Sequence, residues 1–332
     1  MNKKNYGKII LCCIILLCCA AMPAFSQAEF DLKQLQDTMK DFSGKLAQTM
    51  PFNSSMGLYW SDAFIGDFPS FGAGFSFGFS LMDSKTFQKL LDMFTLKLPA
   101  FVGGFGGFPI PGYSIEGRLG GYVIPFDVGF KFGVLPIKSK TLKLDYVLIG
   151  GDIRFAVLKG KGPAPAISLS MGLNYLSGGL TQNSDQNIQY AYGPNASDYI
   201  EVALPKVGIH WGTTTMDFKA QISKRIAIIT PYLGFGASTG WSKAGYKVDT
   251  KVTDGNGING NIDTAKEMFK KFGIDNLDLK GFSDEVKLNK WSFRMYGGLS
   301  FNIAVVRLDL TAFYNFKDKY GVTFGTRVQF PK

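Results

Sequence analysis

Residues 71–82 read FGAGFSFGFSLM. Every odd position from Phe71 to Leu81 is apolar, and every even position from Gly72 to Ser80 is Gly or Ser. Side chains alternate between the two faces of a strand. One face here is mostly phenylalanine, and the other carries almost no side chain. A strand with one wet face ordinarily shows Lys, Glu, Thr or Gln on that face. This one asks for an apolar medium on one side and a crowded space on the other.

The pattern recurs along the chain. Ten strands are expected, at 70–82, 113–123, 126–135, 143–158, 166–176, 206–223, 227–241, 291–302, 305–316 and 320–330. In the third, Phe126, Val128, Phe130, Phe132 and Val134 oppose Asp127, Gly129, Lys131 and Gly133. In the ninth, Val306, Leu308, Leu310 and Ala312 oppose Arg307, Asp309 and Thr311. The 30 Phe and 40 Gly disfavour long helices, and their interleaving at period two is a strand signal. A phase slip at Thr213–Thr215 reads as a bulge. Residues 52–62 and 95–108 could each add a strand, so the count spans about 8–14 around ten.

The connections sort by length. The stretches 83–112, 177–205 and 242–290 are long and join odd strands to even ones; those leaving even strands stay short. Long loops on one rim, short turns on the other and an even strand number describe a transmembrane barrel. In a bilayer no water satisfies backbone groups, so a sheet must close on itself. The expected fold is therefore an all-β antiparallel transmembrane barrel, with the Phe faces toward lipid and the Gly/Ser faces toward a narrow lumen. The soluble alternative, a β-sandwich, rarely turns Phe, Val and Leu outward at this density.

The N-terminus reads as a secretory signal over 1–26. Lys3, Lys4 and Lys8 precede an apolar run, Ile9–Ala21, and Ala24-Phe25-Ser26 supplies the small residues before a cut. A lipoprotein signal with Cys19 lipidated competes; Leu16 fits it and Cys18 does not. All four cysteines lie in this stretch, so a processed chain would hold no disulfide or thiolate site. Removing three lysines takes the formal charge from +10 to +7, and no Lys/Arg run of a nucleic-acid binder is present. Residues 29–50 have helical spacing, with Phe30, Leu35, Met39, Phe42 and Leu46 on one side and Pro51 as a stop. The chain thus divides into 1–26, a periplasmic helix and plug segment over 27–69, and the barrel over 70–332.

The Ala24-Phe25-Ser26 signal, the repeated strands and the C-terminal YGVTFGTRVQF together resemble bacterial outer-membrane β-barrels. The resemblance implies a place in the outer membrane among its lipids. It also implies that the barrel-assembly machinery recognises strand 320–330, although Pro331 and Lys332 follow the terminal aromatic Phe330. Narrower likenesses point to long-chain fatty-acid transporters and to Phe-rich barrels of spirochaetes.

Candidate chemistry is sparse. The lumen-lining candidates are Arg118, Asp127, Lys131, Asp152, Arg154, Asp217, Lys219, Arg294, Arg307, Asp309 and Arg327. They could line a solute path with a mild preference for anions or form an internal salt-bridge network. Two loop segments read as amphipathic helices that could form a lid, one through Phe87, Leu90, Leu91 and Phe94, the other through Met268, Phe269 and Phe272. The single histidine, His210, has no Ser or Asp partner legible in sequence, and a zinc site is not expected. The loop at 249–263 lacks calcium-loop spacing. The expected function is a passive channel or transporter for a small or lipophilic solute, gated by loop helices and the N-terminal segment. The alternative is a filled barrel that displays its loops; no enzymatic role and no cofactor are expected.

Overall fold

The structure is a computed structural model that describes residues 32–61, 63, 69–83, 85, 88–89, 107–120, 125–139, 142–160, 162–182, 187–191, 199–254, 282–316 and 319–330. A helix, α1 (Leu32–Ser54), comes first. The strands follow as β1 (Ser70–Asp83), β2 (Gly107–Gly120), β3 (Phe126–Val134), β4 (Ile137–Lys138), β5 (Leu142–Lys159), β6 (Ala166–Gln182) and β7 (Asn187–Ala191). Then come β8 (Tyr199–Ser223), β9 (Ile229–Asp254), β10 (Phe282–Asn289), β11 (Ser292–Ile303), β12 (Val306–Asn315) and β13 (Lys319–Phe330).

Ten of these strands close into one antiparallel barrel, in the order β1, β2, β3, β5, β6, β8, β9, β11, β12, β13 and back to β1. The closing seam runs from Phe71 opposite Phe330 to Ser80 opposite Gly321. Each of the ten expected strands is a stave of this barrel. Short β4, β7 and β10 pair with β5, β8 and β9 on the rim of the long connections. Residues 52–61 add no strand: they form the end of α1 and an irregular run; residues 62 and 95–106 lie outside the described residues, and those from 107 onward lengthen β2.

The faces divide as the alternation requires. Phe71, Phe75, Phe130, Phe155, Leu173, Phe235 and Phe324 lie outward and exposed. Arg118, Asp127, Lys131, Asp217 and Arg294 lie inward and buried. Exposed aromatics gather near both rims: Trp241, Trp291, Phe316 and Tyr320 by the long connections, Phe71, Phe155 and Phe330 by the short turns. Aromatic rings at both interfaces flank the apolar band of a transmembrane barrel. Among the described residues no helix is long and apolar enough to cross a membrane.

Toward the long-connection rim the pattern inverts. Met82, Ile110, Tyr146, Leu148, Leu176, Ala244, Tyr246 and Val248 point inward and pack with Met39, Phe42, Leu46, Ala47 and Met50 of α1. Lys243, Lys247 and Lys287 lie on the outer side, exposed. Above the apolar band the barrel is wet outside and greasy inside, like a soluble protein. The phase slip at Thr213–Thr215 belongs to this change and is not a bulge. The β8–β9 register runs unbroken from Ser223 to Lys206, and its irregularity falls between Ala203 and Lys206.

One further expectation needs correction. Pro51 lies inside the last turn of α1 and does not stop it. The hydroxyls of Ser54 and Ser55 donate to the carbonyls of Pro51 and Phe52 (2.9 and 2.8 Å) and hold that turn. α1 sits inside the rim of the long connections, where its apolar face meets the apolar part of the inner wall. Residues 1–26 lie outside the described residues.

If the outward face meets hydrocarbon, the cost of a charge there depends on depth. Phe235→Arg, midway between the short turn and Trp241 on β9, should destabilise the barrel by ~2–4 kcal/mol in reversible unfolding from lipid vesicles. Ile226→Arg, in the short turn before β9, should cost about 1 kcal/mol or less in the same assay.

Candidate functional site: a plugged lumen

After α1 the chain descends through the barrel. Asn53 Nδ2 donates to Ser80 Oγ (3.2 Å) and to the Ile110 carbonyl (3.3 Å), near the long-connection ends of β1 and β2. The Ser54 and Thr215 hydroxyls bond at 3.0 Å. Further down, Gln221 Nε2 donates to the carbonyls of Trp60 (2.8 Å) and Ser61 (3.0 Å). The Ala63 amide donates to Ser223 Oγ (3.0 Å), at the short-turn end of β8. Residues 52–61 are all buried.

The wall holds this segment with its charged groups. Lys131 Nζ donates to the carbonyls of Ser54 and Met56, both at 2.7 Å. Arg118 donates to the Leu58 carbonyl at 3.3 Å. Trp60 lies between two guanidinium groups, those of Arg327 and Arg118, at 4.9 and 5.6 Å from its ring centre. Its indole N–H donates to Glu116 Oε2 at 2.9 Å. The guanidinium charges attract the negative ring face, and the indole N–H has its acceptor, so both polar demands of a buried Trp are met.

Two glycines make room. A Cβ on Gly72 would lie 2.7 Å from the Trp60 ring. Gly57 has φ of 88° and Leu58 a φ of 58°, a tight left-handed turn directly above the Arg118 group.

Among themselves the wall charges form networks. Arg118 bridges Asp127 (2.6 Å) and Asp152 (2.7 Å); Arg154 adds to Asp127, and Lys219 to Asp152 (2.9 Å). Arg294 grips both oxygens of Asp217 (2.7 and 2.8 Å) and donates to Ser238 Oγ and to the Tyr59 hydroxyl. Arg327 pairs with Asp309 and reaches Ser61 Oγ of the plug (2.9 Å); Arg307 donates to Asn302. All eleven sequence candidates thus face the lumen, and most are bonded to each other or to residues 54–61. Tyr59, Tyr232, Tyr296, Phe52 and Phe313 fill the remaining section as an aromatic cluster, with Tyr59 edge-on to Tyr296 and Phe313, each 4.7 Å away. A void lined by Gly57, Tyr59, Trp60, Glu116 and Arg327 measures about 10 Å³, the space of one water.

Glu116 escaped the sequence reading, although it precedes Arg118 by two residues and so shares its face. The plug lies within the segment expected for it, 27–69, but which of its residues meet the wall was not legible, since nothing periodic marks them. His210 projects from the outer side of β8 above the apolar band, with its Nε2 3.2 Å from Glu285 Oε2 on β10. Lys243 and Lys287 approach the same carboxylate at 3.4 and 3.5 Å. Burial raises the Glu285 pKa, but the His210 hydrogen bond and the Lys243 and Lys287 charges outweigh it and hold the carboxyl below its ordinary value. The lid residues Phe87, Leu90, Leu91, Phe94, Met268, Phe269 and Phe272 lie outside the described residues.

A family model described as a family of unknown function, DUF6588, matches residues 163–330. The chain belongs to this family. The stretch matched to DUF6588 spans β6 to β13, and so includes the Arg294–Asp217 pair but neither the plug nor the strands that carry Glu116 and Lys131. No curated protein matches this DUF6588 chain. Among solved structures it is similar to the outer-membrane protease OmpT of Escherichia coli, at 9% identity and a TM-score of 0.39, over 80% of this chain and 98% of that one. It is similar to the translocator domain of the autotransporter NalP of Neisseria meningitidis, at 9% identity and 0.30, over 90% and 97%. It is also similar to Ail, the attachment invasion locus protein of Yersinia pestis, at 10% identity and 0.25, over 79% and 99%. All three are bacterial outer-membrane β-barrels.

Removing one partner of a buried ion pair strands the other. Arg294→Met should therefore destabilise the barrel by ~3–5 kcal/mol in chemical unfolding. The double variant Arg294→Met/Asp217→Leu should recover most of that loss, a coupling that a double-mutant cycle reads directly.

Proposed function

We propose that this chain resides in the bacterial outer membrane as a filled, non-conducting barrel that acts through its outer rim. One observation carries the reading. The wall cations are spent on the carbonyls and the indole of residues 54–61, with Lys131 on Ser54 and Met56 and Arg118 on Leu58. A solute path would need those donors free. The antiparallel pairs β7–β8 and β9–β10 rise past the aromatic ring of that rim and supply the surface a partner would meet. Orientation follows the barrel rule, with long connections outside and short turns in the periplasm.

The role is non-catalytic in this reading: His210 is engaged by an exposed Glu285–Lys243–Lys287 cluster. Assembly would use β13, whose outward Tyr320, Phe324, Val328 and Phe330 present the amphipathic terminal strand and whose other edge closes on β1. Outer-membrane lipid is the partner of the apolar band.

A second reading is a passive channel for a small or lipophilic solute, gated by withdrawal of the N-terminal segment. It is favoured by the character of the plug contacts. Many are single hydrogen bonds from wall side chains to backbone carbonyls, which water could replace.

Planar-bilayer recording separates the two. The intact chain should give no discrete steps, and a chain lacking residues 32–63 should give them. Steps from the intact chain, or solute flux into vesicles that carry it, would favour the channel and overturn the filled barrel.

A further inference from the structure

The direction in which the plug is threaded has a consequence for what the outer surface contains. Along β8 the contacts step steadily toward the short-turn rim: Ser54 meets Thr215, Leu58 meets Lys219, Trp60 and Ser61 meet Gln221, and Ala63 meets Ser223. Met39 and Phe42 share one apolar cluster with Tyr246 and Val248, which lie in the extended part of β9 beyond the aromatic ring. Lys40 Nζ lies 3.4 Å from Asp284 of β10, on the same rim. Asn53 meets Ser80 and Ile110, Leu58 meets Arg118, Ser61 meets Arg327, and Ala63 meets Ser223 beside the short turn. β1 then starts from that short-turn rim at Ser70.

Polarity agrees with this direction. The apolar side of α1 can be buried only where the inner wall is apolar, and that is the zone of inverted pattern by the long connections. Residues 53–61 offer carbonyls, hydroxyls and an indole N–H that match the charged lumen below. Reversing the path would set the apolar Met39, Phe42 and Leu46 against the charged lower wall and take from Lys131 and Arg118 the carbonyls they now bond.

We infer that α1 enters the barrel from the outer face of the membrane, so that the chain crosses the membrane once through its own lumen before its first strand. The N-terminal turns of α1 and Phe330 at the end of β13 then lie on opposite faces. The exposed side of those turns, with Asp37 and Lys40, joins Lys243 and Lys287 of the extended hairpins in one composite outer surface. A partner that reads the hairpins would read α1 as well.

Cysteine accessibility tests this without relying on conductance. Asp37→Cys, Lys287→Cys and Arg225→Cys chains are treated on intact cells with a large polyethylene-glycol maleimide, and only the heat-modifiable, assembled band is scored. Asp37→Cys should react as fast as Lys287→Cys on the hairpin. Arg225→Cys, in the short turn between β8 and β9, should react only after the membrane is permeabilised. Protection of Asp37→Cys beside a reactive Lys287→Cys would overturn the inference, as would labelling of Arg225→Cys on intact cells. A Lys40→Cys/Asp284→Cys pair gives an independent reading: a short flexible bis-maleimide, whose spacer stands in for the two side chains now in contact, should bridge it in the assembled protein. An assembled band in which both thiols are capped separately and never bridged would also count against the threading.

Discussion

Backbone amides and carbonyls have no partner in hydrocarbon except each other. That constraint organises this molecule. It obliges the sheet to close, and closure is made by two strands far apart in sequence, β1 and β13, in register from Phe71–Phe330 to Ser80–Gly321. Once closed, the sheet has an outside that must suit lipid tails and an inside too narrow for bulk water. The sequence FGAGFSFGFSLM answers both demands at once, with rings outward and minimal side chains inward. Where a lumen position does carry a long side chain, such as Arg294 or Lys131, that group is buried and reaches across to a partner.

The narrow lumen sets the second level of organisation. Buried charges are tolerated only when paired and hydrogen-bonded. Here the partners come from two sources, the neighbouring staves and the chain's own residues 54–61. Asp152 is shared by Arg118 and Lys219; Arg294 unites Asp217, Ser238 and Tyr59. The plug therefore does more than occupy space, because without it Lys131 and the Trp60 acceptor Glu116 would lose named partners. Above the apolar band the solvent changes and the code reverses, with Tyr246 and Val248 turned inward onto α1 and Lys243 and Lys247 turned out. Membrane barrel and soluble-like cap are thus two regimes of one set of strands, separated by the Trp241–Trp291 level.

Much of this was legible in the residues. Period-two alternation located every stave, and the parity of Phe130 against Lys131, or Leu308 against Arg307 and Asp309, assigned the lumen faces. The failures share a physical origin. Alternation carries information only while one face meets a uniform medium. It broke at Thr213–Thr215 because the medium changes there, and the change imitates a bulge. Residues 53–61 meet a changing set of wall groups, from Ser80 to Lys131 to Gln221, so no period can mark them. Glu116 lay within reach of the parity rule beside Arg118, whereas its bond to Trp60 depends on a contact between residues 56 apart in sequence. The stop expected at Pro51 failed because two serine hydroxyls supply the carbonyls of the last turn with local partners.

The four tryptophans give the most direct test, since they sample the distinct environments of the account. Trp241 and Trp291 project outward at the membrane boundary, Trp211 packs beside α1, and Trp60 lies in the plug between Arg118 and Arg327. Single-tryptophan chains, with the other three changed to Phe, can be placed in vesicles of brominated lipid. The Trp241 and Trp291 chains should be strongly quenched by the bromines, and the Trp60 chain should resist both bromolipid and aqueous iodide. A Trp60 emission quenched from either side, or a Trp241 and Trp291 emission indifferent to bromine, would contradict a lipid-facing barrel closed by its own chain.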